Sequence, residues 1–154
     1  MHGKSGYEMN TKSLALILAF SILGIGIGSA GEKVWVGLYL AENTPPAPGA
    51  RLATEKMHQR LFAVFGFKHY ELVQAQEIEL AHEWQQWAVP RKDFFLRLLP
   101  LHRQPGEPRL IDYEIYNNGA FVAKGTYEPH PDTPLFINGP GYKQGQFIFV
   151  LEKR

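Results

Sequence analysis

The stretch Arg109–Glu128, RLIDYEIYNNGAFVAKGTYE, decides the fold prediction because it reads as a complete β-hairpin. Its first half alternates apolar and acidic side chains, the pattern of a strand with one buried face. Asn118-Gly119 follows, the dipeptide preferred in the two-residue type I′ turn, in which both residues take positive φ. Ala120–Glu128 then returns as the partner strand. The stretch therefore predicts antiparallel β structure for this part of the chain.

Two further strands and one helix complete the fold prediction. Lys33–Ala41 and Gln146–Glu152 carry apolar residues on both faces, so we expect them to be neighbours in the middle of a sheet. Ala50–Phe65 has apolar residues at three- and four-residue spacing, and Gly66 follows where a left-handed cap would end a helix. The order of elements favours an α+β fold, with one main helix packed on an antiparallel or mixed sheet of about six strands.

Two segments have weaker signals. Gln76–Trp87 could be another strand or a short helix, and Pro90 ends it. Gly139–Gly145, GPGYKQG, invites a phosphate-loop interpretation, but it lacks the GxxxxGK[ST] pattern and no helix is predicted after it. We expect this segment to be a turn, with Tyr142 and Lys143 pointing outward.

The segment Ser13–Ala30, SLALILAFSILGIGIGSA, contains no charged residue and follows the basic Lys12. A basic start, an apolar stretch and small residues before the cleavage site are typical of a secretory signal peptide. Gly28 and Ala30 are the small residues for cleavage after Ala30. The alternative is a retained helix, since this segment at about 1.5 Å per residue nearly spans the ~30 Å hydrocarbon core. Gly24 and Gly28 would then form a GxxxG packing face.

These features divide the chain into two parts. We expect residues 1–30 to be a signal peptide, or an N-terminal membrane anchor, and residues 31–154 to be a single globular α+β domain. In both cases the domain is predicted to be periplasmic or extracellular. Contact with the membrane is expected only if residues 13–30 are retained.

The composition excludes several classes of function. The 154 residues contain no cysteine, which removes disulfides, thiol catalysis and cysteine-ligated metal sites. Every serine lies before residue 31, so the predicted domain has none for a Ser–His–Asp triad. The net charge of +1 lacks the basic excess of nucleic-acid-binding domains, so no nucleic acid is expected as a partner.

Histidines give no recognisable metal site. His82-Glu83 begins HEWQQ, which lacks the second histidine of the zinc-binding HExxH motif. The other histidines of the predicted domain are single and lack ligand spacing, so no metal or other cofactor is expected. They are His58, His69, His102 and His130.

Two acid pairs are the other catalytic candidates. Glu77 and Glu79 share one face of a strand, as do Asp112 and Glu114. Glycosidases use two carboxyl groups about 5–9.5 Å apart in a cleft, a distance that such pairs fit loosely. The alternative is an ordinary solvated strand face, with Lys124 of the hairpin near Asp112 or Glu114 as a cross-strand pair.

Aromatic residues supply the candidate binding surface. Trp84 and Trp87 are three residues apart and share a face if their segment is helical. With Tyr70 and Tyr142 they are the predicted binding residues, and no catalytic residue is predicted. Phe95 is near them in sequence. Such a surface suits a sugar or a protein partner, and the alternative is that the tryptophans cover the edge of the core.

Two pieces of the chain carry a resemblance. Leu61–Leu72, LFAVFGFKHYEL, combines a helix ending in Phe-Gly-aromatic with a tyrosine three residues later. Phe136–Leu151, FINGPGYKQGQFIFVL, combines a Gly-Pro-Gly turn with a last apolar strand. In these pieces the chain resembles small exported bacterial envelope proteins of unassigned function. The resemblance implies an envelope protein and carries no catalytic residue with it.

The leading hypothesis is a non-enzymatic exported protein, periplasmic or on the cell surface, that binds another envelope protein. It predicts an exposed apolar patch or an open sheet edge. One alternative is a membrane-anchored accessory subunit of a larger complex. Another is an envelope hydrolase that works through carboxylates or through histidines and a metal, which predicts a cleft holding two histidines and an acid.

Overall fold

The structure, a computed structural model, describes residues 33–80, 85–88, 94–101 and 109–154. The predicted signal peptide or anchor at residues 1–30 lies outside the described residues. Gly31–Arg154 forms one compact unit. Within the described ranges, no helix combines the length and the apolar character needed to cross a membrane.

The described part of the chain is mostly β, with eight strands and one helix. In chain order, the elements are β1 (Lys33–Glu42), α1 (Glu55–Phe65), β2 (His69–Glu79), β3 (Gln85–Ala88), β4 (Phe94–Leu101), β5 (Leu110–Asn117), β6 (Ala120–Tyr127), β7 (Leu135–Tyr142) and β8 (Gly145–Lys153). The strands form two antiparallel sheets of four, the first sheet in the order β2-β1-β8-β7 and the second sheet in the order β3-β4-β5-β6. The prediction that the first and last strands are central neighbours is confirmed, because β1 pairs with β8.

The hairpin predicted at Arg109–Glu128 is confirmed as β5–β6. Asn118 and Gly119 form its turn with φ of 51° and 72°, the positive values that a type I′ turn requires. The two-residue turn sets the pairs Asn117–Ala120 and Tyr116–Phe121, and a register shift at Val122 then places Glu114 on β5 opposite Lys124 on β6. The predicted proximity of Lys124 to an acid of β5 is therefore confirmed.

The main core lies between the inner faces of the two sheets. Phe94 of β4 shows the contact, since its ring centroid lies 5.0 Å from that of Phe149 and 6.4 Å from that of Phe147, both on β8. Further fully buried side chains come from both sheets; they are Val34, Val36, Leu38, Leu96, Leu98, Ile111, Ile115 and Leu151. Their alternation with half-buried positions along β4, and less regularly along β5, is close to the period-two pattern of a strand with one buried face.

The helix α1 covers the outer face of the first sheet. Thr54 caps its first turn, where the side-chain oxygen accepts a hydrogen bond from the Met57 backbone N–H, and Gly66 ends it with φ of 74°. Met57 and Leu61 are its buried residues, and they belong to a second apolar cluster with β1, β2 and β8. The helix begins at Glu55, five residues later than predicted.

The predicted α+β fold, with one main helix packed on a sheet of about six strands, is wrong. The eight strands form two sheets that pack against each other, and the single helix is short. Eleven residues make a helix of about 16 Å, which covers only part of one sheet face. The apolar inner faces of β4 and β5 therefore need a different partner, and the inner face of the first sheet provides it.

The structure also decides the two segments whose sequence signals were weaker, Gln76–Trp87 and Gly139–Gly145. β2 extends to Glu79, and the following strand β3 occupies Gln85–Ala88, so a strand is the correct choice where the sequence left a helix open. The expected turn at Gly139–Gly145 is mostly strand. β7 continues to Tyr142, and the chain reverses at Lys143, where φ is 52°. A register shift between Asn138 and Gly141 accommodates the glycines within β7.

Candidate binding surface

The outer faces of the two sheets differ in what covers them. On the first sheet, α1 buries the outward residues Tyr39, Ile148 and Val150. On the second sheet, no described helix or strand packs on the outer face, and its outward residues form no buried cluster. Monomeric proteins rarely leave large apolar surface uncovered without a function for it. The outer face of the second sheet is therefore the candidate functional surface.

Three aromatic side chains from adjacent strands line up on this face; we name them the aromatic row. Phe95 on β4 lies opposite Tyr116 on β5, and Tyr116 lies opposite Phe121 on β6. The rings of Phe95 and Tyr116 stack with centroids 4.9 Å apart, and Phe121 meets Tyr116 edge to face at 5.9 Å. Phe121, at the end of the row, keeps 53% of its surface exposed. The row thus ends in an accessible aromatic side chain at the edge of the sheet.

Beside the aromatic row runs a charged row formed by Arg97 on β4, Glu114 on β5 and Lys124 on β6. Glu114 is the centre of this row. Its Oε2 accepts a hydrogen bond of 2.9 Å from the Tyr116 hydroxyl and lies 3.5 Å from Nη1 of Arg97. The Arg97 guanidinium also lies 5.9 Å from the Tyr116 ring centroid. These contacts connect the two rows and hold Tyr116 in place from two sides.

The acid pair Asp112 and Glu114 lies on this face, as the strand pattern predicts. Asp112 accepts a hydrogen bond of 2.7 Å from the hydroxyl of Thr126. Both acids line a shallow pocket of about 330 Å³ between β5 and β6, together with Lys124, Thr126 and neighbouring residues of these strands. Both carboxylates therefore accept hydrogen bonds from side chains of their own sheet.

The edge of the second sheet at β6 is exposed. Val122 is 55% exposed and is the extra residue of a register shift in β6, after which Ala123–Tyr127 pairs regularly with β5. Among the described residues, β6 makes no backbone hydrogen bond apart from its ladder with β5. Edge strands with exposed apolar residues are sites at which another strand can pair.

The edges of the first sheet are better protected. Along β2, the Ala53 N–H donates to the Tyr70 carbonyl and the Leu72 N–H donates to the Arg51 carbonyl, so a neighbouring segment covers part of that edge. β7 contains Pro140 and a register shift, and both discourage pairing with an additional strand. The other edge of the second sheet, β3, is only four residues long. Beyond Leu72, β2 has no described neighbour on its outer side, so β6 differs from β2 by its exposed apolar residues Phe121 and Val122.

Of the predicted binding residues, the structure describes the side chains of Tyr70 and Tyr142. Trp84 lies outside the described residues. Trp87 lies in β3 opposite Leu96, and its side chain is outside the description. Tyr70 and Tyr142 lie on opposite edge strands of the first sheet and belong to different apolar clusters.

The two tyrosines have mainly structural contacts. Tyr70 is 1% exposed, and its hydroxyl oxygen accepts a hydrogen bond of 3.1 Å from the Phe67 N–H. Burial raises the pKa of Tyr70. Tyr142 is half-buried, with its ring centroid 5.1 Å from that of Phe147 and 5.3 Å from Nζ of Lys143. Neither tyrosine therefore presents a free aromatic face of the kind that the binding hypothesis needs.

The described histidines have different contacts. His58 on α1 contacts the Lys68 carbonyl oxygen through Nε2 at 3.0 Å, and His130 Nε2 lies 3.1 Å from a carboxylate oxygen of Glu128. His69 begins β2, whereas the HEWQQ segment contains residues outside the description. In the ranges that the structure describes, no group of three or more histidine, aspartate or glutamate side chains could hold a metal ion.

The aromatic row is the feature that sequence reasoning missed, although a signal for it was present. A two-residue turn at Asn118-Gly119 places Tyr116 opposite Phe121 once the register is counted back from the turn. Prediction of the place of Phe95 in the row would have required the register between β4 and β5, which the local sequence does not specify.

No protein family, curated protein or solved structure matches this chain. The surface is therefore characterised by its own geometry: an uncovered sheet face, an aromatic row across three strands and an open edge at β6.

Proposed function

We propose that this chain is a non-enzymatic exported protein that binds another envelope protein through the aromatic row and the β6 edge. The observation that carries the proposal is the difference between the two sheets, since a helix covers one outer face and the other keeps Phe121 and Val122 exposed. Export rests on the apolar segment Ser13–Ala30 and its preceding lysine, as argued from the sequence.

The ring geometry favours a protein partner over a sugar. A sugar ring stacks on an open aromatic face, but one face of Tyr116 is occupied by Phe95 and its side by Phe121. The row offers to solvent the half-exposed Phe121. Apolar side chains of a partner can pack between such rings, and aromatic anchors at a surface commonly supply much of a protein interface's affinity.

Position-specific photo-crosslinking in living cells tests this proposal. A photoreactive amino acid is placed at Val122 in one variant and at Val64 in a second. Val64, on α1, is the matched control because it is the same residue type and is 59% exposed against 55% for Val122. We expect position 122 to crosslink to one discrete envelope protein and position 64 to give no such product. Equal labelling at both positions, or labelling at 64 alone, would contradict the proposal.

The anchored accessory subunit predicts the same surface and differs in the N-terminal segment. The intact mass of the native protein from fractionated cells separates the two possibilities. A mass lacking residues 1–30 in the soluble envelope fraction supports a free exported protein. A full-length mass in the membrane fraction supports the anchored subunit, with Gly24 and Gly28 as candidate helix-packing residues.

A further inference from the structure

The open edge of β6 has the geometry to accept a further strand. Half of the backbone N–H and C=O groups of an edge strand point away from its single neighbour, and these groups form a template for pairing. In β6 the regular portion Ala123–Tyr127 follows the register shift, and it contains no proline. An extended peptide that pairs here would become the fifth strand of the second sheet, a recurrent mode of peptide recognition.

The charged row indicates the chemistry of such a strand. Across the sheet, Arg97 lies opposite Glu114, and Glu114 lies opposite Lys124, so charges alternate in sign from strand to strand. Lys124 is exposed and ends the row at the open edge. Among the described residues, no ion pair of Lys124 is present, whereas Glu114 already contacts Arg97. An acidic residue on a fifth strand would continue the alternation.

Distance decides which charge the added residue meets. Adjacent strands lie about 4.8 Å apart, so a side chain opposite Lys124 is one strand spacing from the lysine and two from Glu114. Asp112 lies farther away, because it faces Thr126, two residues along β6. The Arg97 guanidinium, 3.5 Å from Glu114, offsets the charge of that carboxylate, and salt screens charges beyond about 8–10 Å. The exposed Lys124 is therefore the charge that an added side chain meets most strongly.

We propose that β6 binds an extended acidic segment of the partner protein by strand addition, with an acidic side chain opposite Lys124. This inference rests on the proposed function and names the mode of binding and the chemistry of the ligand. The aromatic row then packs against apolar residues of the partner beyond the strand, next to Phe121.

The test uses isotope-labelled native protein and two synthetic peptides with blocked ends. Each has about ten residues, the length of a long strand, and alternates threonine with glutamate in one and with lysine in the other. Amide exchange and chemical shifts of β6 are followed by NMR during titration. Strand addition protects alternate amides of β6, because only every second N–H points toward the open edge. We expect this alternating protection with the glutamate peptide and at least tenfold weaker binding of the lysine peptide.

Two charge-reversal variants separate local pairing from net charge. Lys124→Glu should reverse the preference, so that the lysine peptide binds better than the glutamate peptide. Lys68→Glu is the matched control, because Lys68 is an exposed lysine next to the first sheet and the substitution changes net charge equally. It should leave the preference unchanged. An equal effect of both variants would show that only long-range attraction is present and would overturn the proposal.

Several other results would also overturn the inference. These are no binding of either peptide, protection in the free protein of the β6 amides that point away from β5, shifts confined to the aromatic row, and self-association that accounts for the protection. If the peptide experiments fail but position 122 still crosslinks to an envelope protein, strand addition is rejected and the proposed function is retained. Loss of crosslinking at Val122 would remove the proposed function itself.

Discussion

Truncation of Leu61 to alanine tests whether α1 seals the outer face of the first sheet. The functional proposal depends on this difference between the two sheets. Leu61 is 0% exposed and lies in the cluster between α1 and the first sheet. Removal of a buried leucine side chain to alanine destabilises proteins by about 2–5 kcal/mol, through lost transfer free energy and the cavity that remains. We expect Leu61→Ala to lower the free energy of unfolding by about 3 kcal/mol. At about 4 °C per kcal/mol for a domain of this size, Tm should fall by about 12 °C.

The assay is urea unfolding of the wild type, Leu61→Ala and a control variant on the same helix. Val64→Ala is the control because its side chain is exposed, and we expect it to change the free energy of unfolding by less than about 0.5 kcal/mol. A loss below about 1 kcal/mol for Leu61→Ala, or equal losses for the two variants, would refute the reasoning. The helix would then not seal the first sheet, and the two outer faces would not differ as described.

Two further predictions concern backbone packing and alkaline stability. Gly145→Ala should lower the free energy of unfolding by about 1–3 kcal/mol, because the added methyl group would overlap the Ala41 carbonyl oxygen. Gly141→Ala is the control: the nearest atom to its added methyl group is 3.9 Å away, so the free energy of unfolding should change little. Urea unfolding compares the two variants. Desolvation by burial raises the pKa of both Tyr39 and Tyr127 from 10.0 to about 12. Their contribution to stability is therefore complete below pH 10 and is lost as the pH rises toward 12. Ultraviolet titration should show Tyr39 and Tyr127 ionising late, and the pKa of Tyr70 is also raised by burial. Ionisation of every tyrosine near pH 10 in the folded state would contradict this.

The local signals in the sequence predicted local structure well. The dipeptide Asn118-Gly119 specified the hairpin and the two residue pairs next to its turn, because few residue pairs tolerate two positive φ values in succession. Gly66 specified the end of α1 for the same conformational reason. The apolar residues on both faces of β1 and β8 indicated central strands, since only a strand covered on both faces can bury both sets.

The arrangement of the strands could not be predicted from such signals. The same alternation in β4 and β5 is compatible with packing against a helix or against another sheet, and the length of α1 was the quantity that decided between them. The burial of Tyr70 could not be predicted for a related reason. Tyr70 is the second residue of an edge strand, but α1 and the chain around it bury its ring, a long-range contact that its neighbours in sequence do not reveal. Phe121 was accessible to prediction only through the register of the hairpin.

The measurement that tests the central claim most directly compares Phe121→Ala with Phe62→Ala in binding to the envelope protein captured at position 122. The two phenylalanines form a matched pair, because they are 53% and 51% exposed and each has a ring contact with one neighbour, Tyr116 or His58. Both substitutions should therefore have similar effects on stability. We predict that Phe121→Ala weakens binding by about tenfold or more, which corresponds to at least about 1.4 kcal/mol, and that Phe62→Ala stays within about twofold of wild type. Unchanged affinity in Phe121→Ala together with a loss in Phe62→Ala would place the binding surface on the helix and contradict the account.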